Sequence, residues 1–147
     1  VRGGPGRGKT AFLERLATPA VQALYDGVDE RWNTRAERMN RALAAAGVPV
    51  RVANLATIWT VLYTEPSRYN WMLQFYLRAE GLALSWVGSG RLIFSLAYGD
   101  TEFDAVVERF VAAARAMQAD GWWWHDTGMS NRTIRRSLLR EALRARF

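Results

Sequence analysis

Between Thr18 and Ala46 the apolar positions Val21, Leu24, Tyr25, Val28, Trp32, Ala36, Met39, Leu43 and Ala46 recur at threes and fours, the spacing that gathers side chains on one face of an α-helix. The pattern predicts one long amphipathic helix, opened by Thr18-Pro19 and stopped by Gly47. Gly27 falls near its middle, a weak point where the helix can bend or break. The chain then turns to β-branched and aromatic residues, Val48 to Asn54 and Ala56 to Tyr63, which predict two strands meeting around Asn54-Leu55.

Helical spacing returns from Asn70 to Gly81, with Trp71, Leu73, Phe75, Tyr76, Leu77 and Ala79 apolar almost all round, so a short, well-buried helix is expected. Leu82 to Val87 and Arg91 to Tyr98, joined by Gly88-Ser89-Gly90, read as a second strand pair. Asp100 or Thr101 then caps a final domain helix whose early acids, Glu102 and Asp104, suit its positive end. Its apolar face runs through Phe103, Val106, Val107, Phe110, Val111, Ala114 and Met117, and Gly121 ends it. Strand pairs separated by helices, without strict alternation, predict an α+β fold in which a small, mainly antiparallel sheet is covered by helices. Three segments follow: a glycine-rich start over 1–17, a domain over 18–121, and an appended tail over 122–147 with a Trp run and a basic helix from Asn131 to Arg146.

Composition narrows the chemistry. The chain has 147 residues, half of them apolar, which excludes disorder for most of its length. No apolar run approaches the roughly 20 residues of a bilayer-spanning helix, so a soluble protein without membrane contact is expected, and the lack of cysteine is compatible with a reducing cytoplasm, the location expected. Cysteine is absent and His125 is the one histidine, which removes disulfides, thiolate zinc sites, thiol nucleophiles and multi-histidine metal sites. The 20 basic residues are 19 arginines and Lys9, against 14 acids. From Glu14 to Arg41 the two signs interleave, which argues for mixed helical surfaces and against nucleic-acid binding. Only the tail is one-sided, with Arg132, Arg135, Arg136, Arg140, Arg144 and Arg146 against Glu141.

Four features are candidates for chemistry. Gly3 to Thr10 fits the G-x-x-x-x-G-K-[ST] phosphate-loop pattern, with Lys9 and Thr10 in the phosphate and magnesium positions, but only Val1 and Arg2 stand where a strand should precede it. A small nucleotide-binding protein using Gly3 to Thr10 is the alternative function on this ground. Trp122-Trp123-Trp124 can stack on a ring, or pack over the preceding helix with the rest exposed; packing is the preferred reading. His125 beside Asp126 has the composition of a catalytic pair without a nearby Ser or Cys nucleophile and reads as a surface histidine. Arg91 opens an apolar strand directly after a Gly-Ser-Gly turn, which suits bidentate binding of a carboxylate; pairing with Asp100 or Glu102 is the equal alternative.

Several pieces, in order and spacing, resemble the C-terminal part of class III pyridoxal-phosphate aminotransferases, in particular the glutamate-1-semialdehyde aminomutase group and the aminotransferase modules of peptide synthetases. They are Thr18 to Tyr25 leading into the long helix, Ala45 to Val52, Ala56 to Val61, Arg78 to Leu82, and Arg91 to Asp104, covering roughly Thr18 to Gly121. The resemblance implies the small C-terminal domain of a fold-type I enzyme that moves an amino group on a carboxylate-bearing amino or keto acid, working as a homodimer with pyridoxal phosphate. It also implies that Arg91 matches the strand arginine that binds the substrate carboxylate in many members. The aminomutase branch carries a glutamate near this stretch, and Ser89, Gly90 and Arg91 stand here instead, which favours an ordinary aminotransferase. The family's catalytic lysine, its aspartate under the pyridine nitrogen and most phosphate contacts lie in a preceding domain, and Lys9 does not match that lysine. No catalytic residue is therefore expected in this chain, which alone should bind the cofactor weakly or not at all and be inactive.

Overall fold

The computed structural model describes residues 18–83 and 91–146. The phosphate-loop pattern at Gly3 to Thr10 and the Leu84 to Gly90 part of the expected second strand pair lie outside these residues.

The expected long helix is two: α1 (Pro19–Tyr25) and α2 (Val28–Ala45). The break falls where glycine permits it, since Asp26 is extended and Gly27 takes the left-handed conformation at φ 66°. Asp29 and Glu30 then lie in the first turn of α2, beside its positive end. Two antiparallel strands follow, β1 (Val50–Leu55) and β2 (Ile58–Tyr63), in register from Val50 opposite Tyr63 to Leu55 opposite Ile58. The turn between them is Ala56-Thr57, two residues later than the sequence pattern places it.

A 3-10 turn over Asn70–Met72 leads into the short α3 (Leu73–Ala79), so the apolar run expected as one helix starts with a tighter turn. The third strand is β3 (Arg91–Ile93), antiparallel to β2, in the sheet order β1-β2-β3. Phe94 makes a last rung, its amide donating to the Thr57 carbonyl at 3.0 Å and its ring joining Leu92 in the core, but Ser95 to Tyr98, expected to continue the strand, turn away, with the Tyr98 amide donating to the Ser95 carbonyl at 3.2 Å. The last domain helix is α4 (Asp100–Ala119), with Gly99 rather than Asp100 or Thr101 at its cap. Helices α2, α3 and α4 end as expected at Gly47, Gly81 and Gly121. In each the residue after the glycine donates back five residues, as Leu82 does to Leu77 at 2.8 Å. The appended helix is α5 (Asn131–Arg144).

The molecule is an α+β fold with helices on one face of a small antiparallel sheet. Period-two alternation sends Val50, Val52, Trp59, Val61 and Leu92 inward to meet Trp32, Met39 and Leu43 of α2 and Phe103, Phe110 and Met117 of α4. At the centre the Trp32, Trp59, Phe94 and Phe103 rings pack mutually at centroid distances of 5.1–6.2 Å, mostly edge to face. Leu73 and Leu77 seat α3 against the same core.

Asn40 fastens α2 to the sheet. Its amide nitrogen donates to the Val52 carbonyl at 3.0 Å and its amide oxygen accepts from the Val52 N–H at 2.8 Å. This pair satisfies the two backbone groups that Val52 of β1, an edge strand, turns away from β2. Asn40→Asp keeps the shape and loses the donor, so it should destabilise the chain by about 1–3 kcal/mol in denaturant unfolding, with the slope unchanged.

Candidate carboxylate-binding groove

The alternation that buries Trp59 sends its neighbours Ile58 and Thr60 to the outer face of the sheet. Register then assembles two cross-strand rows there. Leu55, Ile58 and Ile93 form an apolar row, all three exposed, and Ala53, Thr60 and Arg91 form a second row beside it. Together with Asn54 and Trp59, most of these residues line an open groove of about 390 Å³. Arg91 stands at one side of it as the first residue of β3, exposed, with Thr60 directly opposite. A guanidinium and a hydroxyl on one wall and aliphatic side chains on the other suit a ligand with a carboxylate head and a short apolar body.

The turn at the groove's end is strained and held. Ala56 has φ 48°, a conformation that disfavours any residue with a Cβ. Its carbonyl accepts from the Trp59 indole at 3.1 Å and from the Asn54 amide at 3.3 Å, and Asn54 also donates to the Asn33 side chain at 2.9 Å. These bonds fix the β1 to β2 turn on the N-terminal half of α2.

Of the two acids named as alternative partners of Arg91, Asp100 meets another arginine. It takes a 2.9 Å bond from Arg35, and a Glu102 carboxylate oxygen fills the space that a Cβ at position 99 would enter. Arg35 is the polar residue that the sequence pattern missed. It occupies the inner stripe of α2 between Trp32 and Met39, a position where an arginine signals a built partner. Its guanidinium is buried, lies 4.7 Å from the Trp32 ring and 5.3 Å from the Phe103 ring, and also donates to the Tyr98 carbonyl at 3.0 Å. Its Nε and the other terminal nitrogen have no hydrogen-bond partner, so the rings stand in for solvent on that side. One turn along, Arg38 pairs with Asp104, and the two pairs hold the start of α4 on α2.

The tryptophan run divides as the packing reading expects. Trp122 meets Tyr69 edge-on at 5.1 Å, Trp123 donates its indole N–H to the Ala114 carbonyl at 3.0 Å, and Trp124 is exposed. His125 faces Glu65 at 3.4 Å and not its neighbour Asp126. Among the described residues no group of three His, Cys, Asp or Glu side chains could hold a metal ion, and no helix is long and apolar enough to cross a membrane. They also contain no lysine, so they do not fit the aldehyde end of pyridoxal phosphate, which needs an amine for its Schiff base. Among the described residues that line the groove, Arg91 offers a guanidinium and Thr60 a hydroxyl, and none is a carboxylate or an imidazole.

The Arg35 hydrogen bond, and then its charge, hold the Asp100 carboxyl below its ordinary value of 3.8. A carboxyl lowered in the folded state contributes stability that is present above the unfolded value and is lost as pH falls through the folded one. Unfolding followed downward from pH about 4 should therefore show a steeper loss for the native chain than for Asp100→Asn, the two curves converging at the acid end. The comparison with protein-family models gives no match for this chain, and the comparison with curated proteins gives none either.

Proposed function

We propose that residues 18–121 are the substrate-side domain of a class III pyridoxal-phosphate aminotransferase, in which Arg91 clamps the carboxylate of an amino or keto acid. The observation that carries this reading is Arg91 on a short sheet strand, opposite Thr60 and beside the apolar row Leu55, Ile58 and Ile93. Support also comes from the acidic first turn of α4, Asp100 and Glu102, which follows β3 at the spacing that the family resemblance implies. The small antiparallel sheet with helices on its inner face agrees with the same domain of a fold-type I enzyme.

On this reading the chain binds and orients, and the amino-transfer chemistry belongs to residues beyond the described ones. The planar guanidinium of Arg91 donates two parallel N–H groups to the carboxylate, and the Thr60 hydroxyl donates a third bond from the neighbouring strand. Because both side chains project from paired strands, the carboxylate axis is fixed by the sheet and not by a loop. The aliphatic row then receives the carbon skeleton and excludes water along it. The complete enzyme works as a homodimer with pyridoxal phosphate, and this stretch contributes recognition.

The test is a titration of the labelled chain with glutamate and 2-oxoglutarate, read by amide chemical shifts. The expected result is a set of shifts at Ala53, Asn54, Thr60 and Arg91, with an affinity in roughly the millimolar range for one solvated ion pair. Arg91→Ala should abolish them, and Arg91→Lys should weaken binding about tenfold through loss of the bidentate fork. Equal shifts from the corresponding neutral amides, or an unchanged response in Arg91→Ala, would defeat the proposal.

A further inference from the structure

Helix α5 is well built and poorly attached. Ser130 and Thr133 form a reciprocal capping box at its start, the Ser130 hydroxyl accepting from the Thr133 amide at 3.2 Å and the Thr133 hydroxyl accepting from the Ser130 amide at 2.8 Å. Yet none of its residues is buried. Its polar link to the domain is Arg68, which donates two hydrogen bonds to Glu141 at 3.1 and 2.7 Å. That pair also occupies the single acid of the helix, leaving Arg132, Arg135, Arg136, Arg140 and Arg144 as its unbalanced charge. Among the described residues none of these five forms a salt bridge.

Their placement is ordered. Arg132, Arg136, Arg140 and Arg144 recur at every fourth position, one continuous row with a step of about 6 Å along the helix. Like charges at that spacing repel and weaken a helix, and a helix this short is marginal in water by itself. The adjoining row is Arg135, Leu139 and Leu143, and Leu138 is also exposed. At about 100° per residue Arg135 and Arg132 fall inside the arc spanned by the three leucines, so charge and apolar surface alternate across one face. A bilayer surface asks for the two to be segregated, and a phosphate backbone offers nothing to the leucines. A second helix whose carboxylates recur every fourth residue beside an apolar seam satisfies both rows at once.

We infer that the outer face of α5 is a docking surface for an acidic amphipathic helix of a protein partner, its glutamates or aspartates lying along the Arg132 to Arg144 row and its apolar seam on Leu139 and Leu143. The contact is independent of the Arg91 groove, which lies on the outer face of the sheet and shares no residue with α5.

The probe is a labelled synthetic peptide with a leucine seam flanked by glutamates at every fourth position, titrated with the full chain and read by fluorescence anisotropy. A scrambled peptide of the same composition, phosphatidylserine-containing phosphatidylcholine vesicles and a random DNA duplex are run beside it. The expected result is binding of the patterned peptide at least about tenfold tighter than the scrambled one, weakened by salt. Arg136→Ser with Arg140→Ser, and separately Leu139→Ser with Leu143→Ser, should each weaken it by about tenfold or more, with circular dichroism confirming that the domain stays folded. The two-peptide comparison needs no variant. No binding, equal binding of the scrambled peptide, tighter binding of vesicles or duplex, or indifference to the leucine pair would each overturn the inference.

Discussion

Four aromatic rings decide how this chain is put together. Trp32 comes from α2, Trp59 from the central strand, Phe94 from the segment that leaves β3, and Phe103 from the first turn of α4, and all four are buried. Removing one large ring from such a cluster costs about 3–5 kcal/mol, a large share of the roughly 5–15 kcal/mol by which a domain is stable. A three-stranded sheet is too small to hold helices by area alone, so the contacts at this one point fix the angle and height of both long helices. The Arg35 guanidinium extends the cluster to its rim by lying over Trp32 and Phe103 while it reaches Asp100, and so ties a ring contact to an ion pair.

The same constraint makes the groove. Once Trp59 points inward, strand alternation leaves no choice for Ile58 and Thr60, and register carries that choice to Leu55 on one side and to Arg91 and Ile93 on the other. A slip of one residue would bury Thr60 and expose Trp59. The indole N–H of Trp59 also holds the Ala56 carbonyl, so the buried ring and the strained turn at the groove's end are joined by one hydrogen bond. Arg91 is thus positioned by the core although its own side chain is exposed.

What could be read from the sequence is what depends on neighbours along the chain. The apolar stripes of α2 and α4, the strand character of Val50 to Tyr63 and the three glycine stops are local properties, and they appear where the pattern puts them. The weak point at Gly27 was legible as a glycine in a helical stripe, and the break is real because Asp26 leaves the helical region with it. The end of β3 was not legible, since Phe94 to Tyr98 is as apolar as a strand and only the fold shows that its partner strand runs out at the Ala56-Thr57 turn. Asn40 and Arg35 were equally hidden. A polar residue in an apolar stripe announces that it has a partner and does not say which, and Val52, Tyr98 and Asp100 lie 12, 63 and 65 residues away. For the candidate site, Arg91 was visible through its turn and strand, whereas Thr60 and the apolar row beside it required the register.

This division between a tied core and a loosely tethered α5 predicts a distinct pattern of amide hydrogen exchange. If the aromatic cluster is what holds the domain together, core amides of α2, β2 and α4, around Met39, Val61 and Phe110, must open together. Native-state exchange should then give them one common opening free energy equal to that of global unfolding, with the amides of α5 exchanging far faster. Separate, lower opening energies for α2 or α4 would contradict it, because those helices would then be leaving the sheet without disturbing the rings that are supposed to hold them.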